Sequence, residues 1–325
     1  MTMRLRNIFI IVAVAGALSS SAQDPHFTQF YSAPLTVNPA YTGVFEGQVR
    51  VMSNYRQQWG NAIDPFTTAI VSGDIKIGKR ESDAQNPFNI GFQLMNDRSM
   101  RGAFKSNYAT LSASYHVPID LEGYKSFGAG LTASYADRRI DFLNQSFDAQ
   151  FTSGGFDLSL PTGESALQNL EPFMTVGAGL LYRHENRETG DFFDIGASAF
   201  HLNRPRQSAL GDVNQIIPVR FSGQVSYQKY LNETTIINLR GLYQNQASVE
   251  YMLAGVSYAK LIGVNKEMVG AGIWYRSSDA VSPYLFVEWN KVQIGFSYDV
   301  TLSDLTKGPK PARSIELSLH WRMGR

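Results

Sequence analysis

Cysteine is absent from all 325 residues, so neither a disulfide framework nor a thiolate zinc site is available. Rigidity must come from packing or from closure of a sheet. A charge excess is missing as well: 29 Lys and Arg stand against 28 Asp and Glu, a net charge of +1. No long-range field draws the chain to nucleic acid or an acidic surface, and nucleic-acid binding is set aside on that ground. Long apolar runs are also lacking. The longest, Ile8–Leu18, is about eleven residues, against the roughly twenty a transmembrane helix needs.

What is present begins with Arg4 and Arg6, then that apolar run, then small residues ending at Ala22. This is the order of a secretory signal peptide, expected over residues 1–22, with cleavage leaving Gln23 first. Beyond it, aromatics make up 12% of the chain while mean hydropathy is slightly negative. That pairing suits strict alternation better than a continuous buried core.

Alternation is found. In FGAGLTASYAD, Phe127, Ala129, Leu131, Ala133 and Tyr135 share one parity; Gly128, Gly130, Thr132 and Ser134 share the other. The same reading holds for Phe88–Leu94, Val292–Val300 and Ile315–Met323. Period two gives one apolar and one polar or small face. Splitting the chain at Gly, Pro, Asn and Asp clusters gives fourteen candidate strands, at 45–58, 66–78, 87–96, 103–117, 124–137, 173–186, 191–202, 217–230, 234–244, 249–260, 267–277, 281–289, 291–300 and 313–323. Most exceed the length usual in soluble sheets and match tilted strands that cross a membrane. An even count suits a transmembrane antiparallel up-and-down β-barrel of the outer membrane; a soluble β-sandwich or β-solenoid is the plainer alternative.

Loop lengths bear on the choice. With the N-terminus in the periplasm, the longest connections, 138–172, 203–216 and 301–312, all fall on the outer side, as in such barrels. Tyr and Trp, among them Tyr55, Tyr108, Trp274, Trp289 and Trp321, cluster near strand ends as interfacial girdles do.

The polar parity places Arg50, Asn54, Arg56, Asp74, Gln93, Asp299, Glu316 and His320 in the lumen, with both signs of charge and no ion-selective ring. Most of these are expected simply to pair with one another. The GxG pairs Gly128/Gly130, Gly177/Gly179 and Gly270/Gly272 are not nucleotide loops, since no amphipathic helix follows them. Glycine on the inward face predicts close approach by something filling the barrel. The five histidines show no paired metal spacing, and no triad is legible, so no metal, cofactor, small-molecule substrate or catalysis is expected. The 138–172 connection carries Phe147, Phe151 and Phe156 among other apolar residues. Such a loop either folds over the mouth or docks a partner.

One segment fits neither leader nor strand: QDPHFTQFYSAPLTVNPAYTG, residues 23–43. Pro25, Pro34 and Pro39 remove backbone donors and disfavour a wall strand or a helix. An ordered N-terminal arm is expected, starting on the periplasmic side and covering the mouth, tucking into the lumen or meeting a periplasmic partner. Its anchors would be Asp24, Phe27, Phe30, Tyr31 and Tyr41, with Asn38-Pro39 turning the chain into the first strand. The expected domains are thus 1–22, the arm 23–43 and a barrel 44–325.

Gln23, Asp24, Pro25, Phe27, Gln29, Phe30, Asn38, Pro39, Ala40, Tyr41 and Gly43 make this segment resemble the mature start of PorP/SprF family membrane proteins of the type IX secretion system. Thr28 and Thr42 depart from the family's usual Ser and Ala, Phe30 keeps the aromatic ring where the family usually has Tyr, and the chain ends Met323-Gly324-Arg325 rather than on an aromatic residue. The resemblance implies an outer-membrane barrel of Bacteroidota that works with translocon components. Its role would be secretion and surface retention of large cargo, such as gliding adhesins with a type B C-terminal domain. A porin or nutrient channel and a membrane-embedded hydrolase are the other readings.

Overall fold

The computed structural model describes residues 24–60, 65–77, 88–141, 146–163, 170–186, 188–208, 215–263, 267–303 and 312–324. The expected signal peptide, Gln23, and parts of the three long connections lie outside the described residues.

Fourteen strands form one closed antiparallel barrel. They are β1 (Val49–Gln58), β2 (Phe66–Ile77), β3 (Phe88–Ser99), β4 (Phe104–Pro118), β5 (Lys125–Ile140), β6 (Phe173–Glu185), β7 (Phe192–Phe200), β8 (Arg220–Asn232), β9 (Thr235–Gln246), β10 (Val249–Ile262), β11 (Glu267–Arg276), β12 (Ala280–Trp289), β13 (Val292–Thr301) and β14 (Arg313–Met323). Every strand pairs with its sequence neighbours, and β1 closes on β14 from Val49↔Met323 to Gln57↔Ile315. Closure leaves no unpaired edge, which lipid would not tolerate. Among the described residues no helix is long and apolar enough to span a membrane.

The period-two pattern is expressed inside out relative to a soluble protein. On β5, Phe127 and Leu131 stand outward, Leu131 being 67% exposed, while Ser126 and Thr132 are buried inward. The same inversion holds on β3, with Ile90 and Phe92 out and Asn89 and Gln93 in, and on β14, with Leu317 and Leu319 out and Glu316 and Ser318 in. An apolar exterior over a hydrogen-bonded polar interior is stable in lipid and not in water. At the rim where β1 begins, Glu233-Thr234 joins β8 to β9 and Asn290-Lys291 joins β12 to β13; at Asn290-Lys291 both residues have positive φ, 49° and 65°, as a type I′ hairpin requires. The connections 141–172, 201–219 and 302–312 gather at the opposite end, here called the long-loop mouth.

Several strand ends differ from expectation. β1 starts at Val49, because Val44–Gln48 bend along the rim; β3 and β5 run on to Ser99 and Ile140; β8 is shifted to Arg220–Asn232. Two aromatics assigned to the girdle, Tyr108 and Trp274, face the lumen instead. The arm also forms short helical turns where none was expected: 3-10 turns at Phe30–Ser32, Pro34–Thr36 and Pro39–Tyr41. Proline begins two of them, where its missing N–H costs nothing.

Candidate functional site: the filled lumen and the long-loop mouth

The arm runs the length of the lumen. At the short-turn rim, Gly43 donates its N–H to Asp74 Oδ2 at 2.7 Å, and Arg50 holds the same carboxylate at 2.7 and 2.9 Å while reaching the Tyr41 carbonyl at 3.3 Å. The chain is redirected into β1 here, at Gly43 and Gly47 with φ of 78° and 106°, and not at Asn38-Pro39 as the sequence suggested. Tyr41 itself is half-buried.

Asn38 and Pro39 lie halfway along, flat against the wall. Asn38 Nδ2 donates to the Leu180 and Ala197 carbonyls at 2.9 and 3.3 Å, and its Oδ1 accepts from Ala40 N at 2.8 Å, capping the last turn. This approach needs a bare wall: a Cβ on Gly179 would overlap Asn38, and one on Gly130 would overlap the Pro39–Ala40 peptide. Gly130 and Gly179, one from each of two of the glycine pairs that mimic a nucleotide motif, are therefore part of the seat of the arm, whereas Gly128, Gly177, Gly270 and Gly272 face residues of the wall.

Above this, Phe30 and Val37 pack with Ile236, Leu242, Leu253, Trp274, Tyr284 and Phe286 in a small apolar core inside the barrel. Trp274, 1% exposed, meets Phe30 edge-on at 6.0 Å and Tyr31 at 5.0 Å between ring centroids. On the other side Phe27 packs with Ala33 and Ile70. Beside these lies a buried charge network. Glu316 accepts the N–H groups of Thr28 and Gln29 at 2.8 and 2.9 Å, and Asp299 joins Arg56 at 3.0 Å and Arg276 at 2.7 Å. His26, burrowed among Arg56, Arg276 and Arg220, is held well below the usual imidazole range by burial first and by those cations second, so it is neutral.

Asp24 ends the described arm at the long-loop mouth, the reverse of the expected periplasmic start. Its Oδ2 lies 2.7 Å from His201 Nε2 and 3.0 Å from Arg220, its Oδ1 is 4.0 Å from Arg138, and its N–H donates to Gln246 at 3.0 Å. Burial alone would raise its pKa, but Arg220, His201 and Arg138 overrule it and hold the carboxyl well below the usual range. These three partners and Arg276 are absent from the lumen residues expected from the alternation; for the three, pairing with Asp24 across more than a hundred residues leaves no local signal.

At the mouth, residues 146–163 are folded on themselves. Gln150 donates to the Leu160 carbonyl at 2.8 Å and its Oε1 accepts from Phe147 N, while a short hairpin pairs Phe151 with Phe156. Their rings meet edge-to-face at 5.0 Å and yet stay 64% and 55% exposed, with Leu158 exposed beside them. Phe147 is half-buried. Among the described residues, no group of three or more His, Asp or Glu is placed to hold a metal.

A closed barrel of even strand number, apolar outside and polar within, defines an outer-membrane β-barrel protein, and the outer membrane is where this chain resides. Its fold is that of solved outer-membrane barrels. A Pseudomonas aeruginosa FadL homologue aligns with a TM-score of 0.51 at 8% identity, over 87% of this chain and 92% of that one. CdiB from Acinetobacter baumannii (TM-score 0.47, 8% identity, 84% of this chain) and the Pseudomonas putida toluene transporter TodX (0.45, 10%, 89% of this chain and 93% of that one) are also similar. This chain spans 60% of the CdiB chain. Among curated proteins no sequence match is found. The particular family is given by sequence: residues 19–321 match the type IX secretion system membrane protein PorP/SprF, and the chain belongs to that family.

Proposed function

We propose that this barrel is a non-catalytic docking protein of type IX secretion: it receives secreted cargo at the cell surface by binding the cargo's C-terminal domain, and helps to anchor it there. Adhesin-like cargo with a type B C-terminal domain, in the service of gliding motility, is the reading taken from the family. The observation that carries it is the pairing of a filled lumen with an ordered apolar platform at the mouth. A barrel whose interior is packed with Phe30, Trp274 and Tyr284 is built as a scaffold rather than a conduit. An exposed patch of Phe151, Phe156 and Leu158, held in place by its own hydrogen bonds, suits a partner better than water. The same filling of the lumen speaks against a porin.

The test is affinity purification from the native outer membrane, wild type beside the double substitution Phe151→Asp, Phe156→Asp. A secreted protein with a type IX C-terminal domain copurifies with the wild type, and its recovery falls at least about tenfold in the variant, the scale of losing a central aromatic contact. If no secreted protein copurifies and deletion leaves the surface proteome unchanged, the reading fails.

A further inference from the structure

The geometry points to Asp24 as a positioning residue: the arm tip acts as a shared counter-ion that fixes the roots of the two largest mouth connections, and thereby holds the docking platform in place. The inference rests on the docking function proposed above.

The hydrogen bonds and ion pairs of Asp24 go to no described platform residue, but every side chain that holds its carboxylate sits at a root of one of the two connections. Arg138 lies two residues before the end of β5, where the 141–172 connection leaves, and its guanidinium stacks 5.4 Å from Phe173, where that connection returns in β6. His201 and Arg220 flank the 201–219 connection. Arg138 also donates to Gln207 Oε1 at 2.6 Å, reaching into that second connection, and to Tyr108 Oη at 2.5 and 3.0 Å. Tyr108, Ala136, Phe173 and Ile217 form a small apolar cluster beneath the mouth, in which Ile217 of the 201–219 connection packs on the wall strands β4, β5 and β6.

Charge explains why the clamp needs the arm. Two arginines converge on this corner, and Asp24 is the carboxylate that reaches both. Without it, two guanidinium groups drawn within 4.0 Å of one carboxylate repel each other in a poorly solvated site. The simplest relief is for the loop roots to separate.

Hydrogen exchange on the full-length protein in lipid nanodiscs tests this with Asp24→Asn, Asp24→Glu and Gln207→Ala. In Asp24→Asn, amides of 146–163 and 201–208 are expected to exchange at least about tenfold faster, with the Val44–Gln48 rim unchanged, and Asp24→Glu restores most of the protection. Gln207→Ala, which strands no charge, should loosen 201–208 and leave 146–163 protected. Unchanged loop exchange in Asp24→Asn overturns the inference, as does a rise spread evenly over the barrel. Cargo capture is read separately: a wild type that captures nothing defeats the docking function, whereas capture together with unaltered loops defeats only the clamp.

Discussion

Glu316 offers the sharpest test of how the arm is held. Its two oxygens serve four donors: Thr28 N at 2.8 Å, Gln29 N at 2.9 Å, Asn54 Nδ2 at 3.0 Å and Arg56 Nη1 at 3.4 Å. Glu316→Ala leaves all four facing a void between arm and wall. A single buried donor stripped of its acceptor costs about 1–3 kcal/mol, and breaking a buried ion pair by removing one partner about 3–5 kcal/mol. Water entering the void recovers part of this, so a loss of about 3–5 kcal/mol is expected for the whole set. Glu316→Gln keeps one acceptor oxygen, and Arg56 keeps Asp299, so it should cost only about 1–2 kcal/mol. Guanidinium unfolding of the barrel in lipid vesicles reads both values, provided the denaturant slope is shared. A loss below about 1 kcal/mol for Glu316→Ala, or equal losses for the two variants, would refute the account of the arm as a hydrogen-bonded plug.

Two further outcomes follow from the same geometry. Gly179→Val should cost about 1–3 kcal/mol by overpacking and expose the middle of the arm, whereas Gly223→Ala, with nothing within 4 Å of an added Cβ, should be nearly neutral. Val37→Cys, buried beside this contact, would supply the molecule's sole thiol and report that exposure by its labelling rate. The second outcome concerns acid. The Asp24 carboxyl is depressed below its ordinary 3.8, so its stabilisation is complete above that value and is lost as pH falls further. The stability gap between wild type and Asp24→Asn should therefore be widest near neutrality and close on acidification; a gap that is the same at pH 7 and pH 3 contradicts the assignment.

Much of the barrel is legible in the sequence because the physics that sets it is local. FGAGLTASYAD alternates residue by residue, and each of the fourteen strands carries a similar signature bounded by turn residues. For the aromatics, alternation outweighs position along the strand. Trp274 and Tyr108 sit near strand ends, but their parity is that of Gly272 and Ser106, which points inward. The glycine-rich inward face announced a filled lumen without naming its contents. What no local pattern carries is the arm's direction. Asp24 finds Arg138, His201 and Arg220 only after the barrel has closed, and those residues have no partner within their own strands to mark them.

The placement of Trp274 gives the molecule an optical property of its own. Of four tryptophans, Trp289 and Trp321 stand exposed on the outer surface and Trp59 sits at the mouth, while Trp274 alone is sealed against Phe30 and Tyr31. Brominated lipid quenches the emission of the outward indoles and spares the inner one. In a Trp59→Phe background, which removes the indole at the mouth, the residual fluorescence is a label-free signal from the arm's seat, and any event that lifts the arm brings that indole into contact with water.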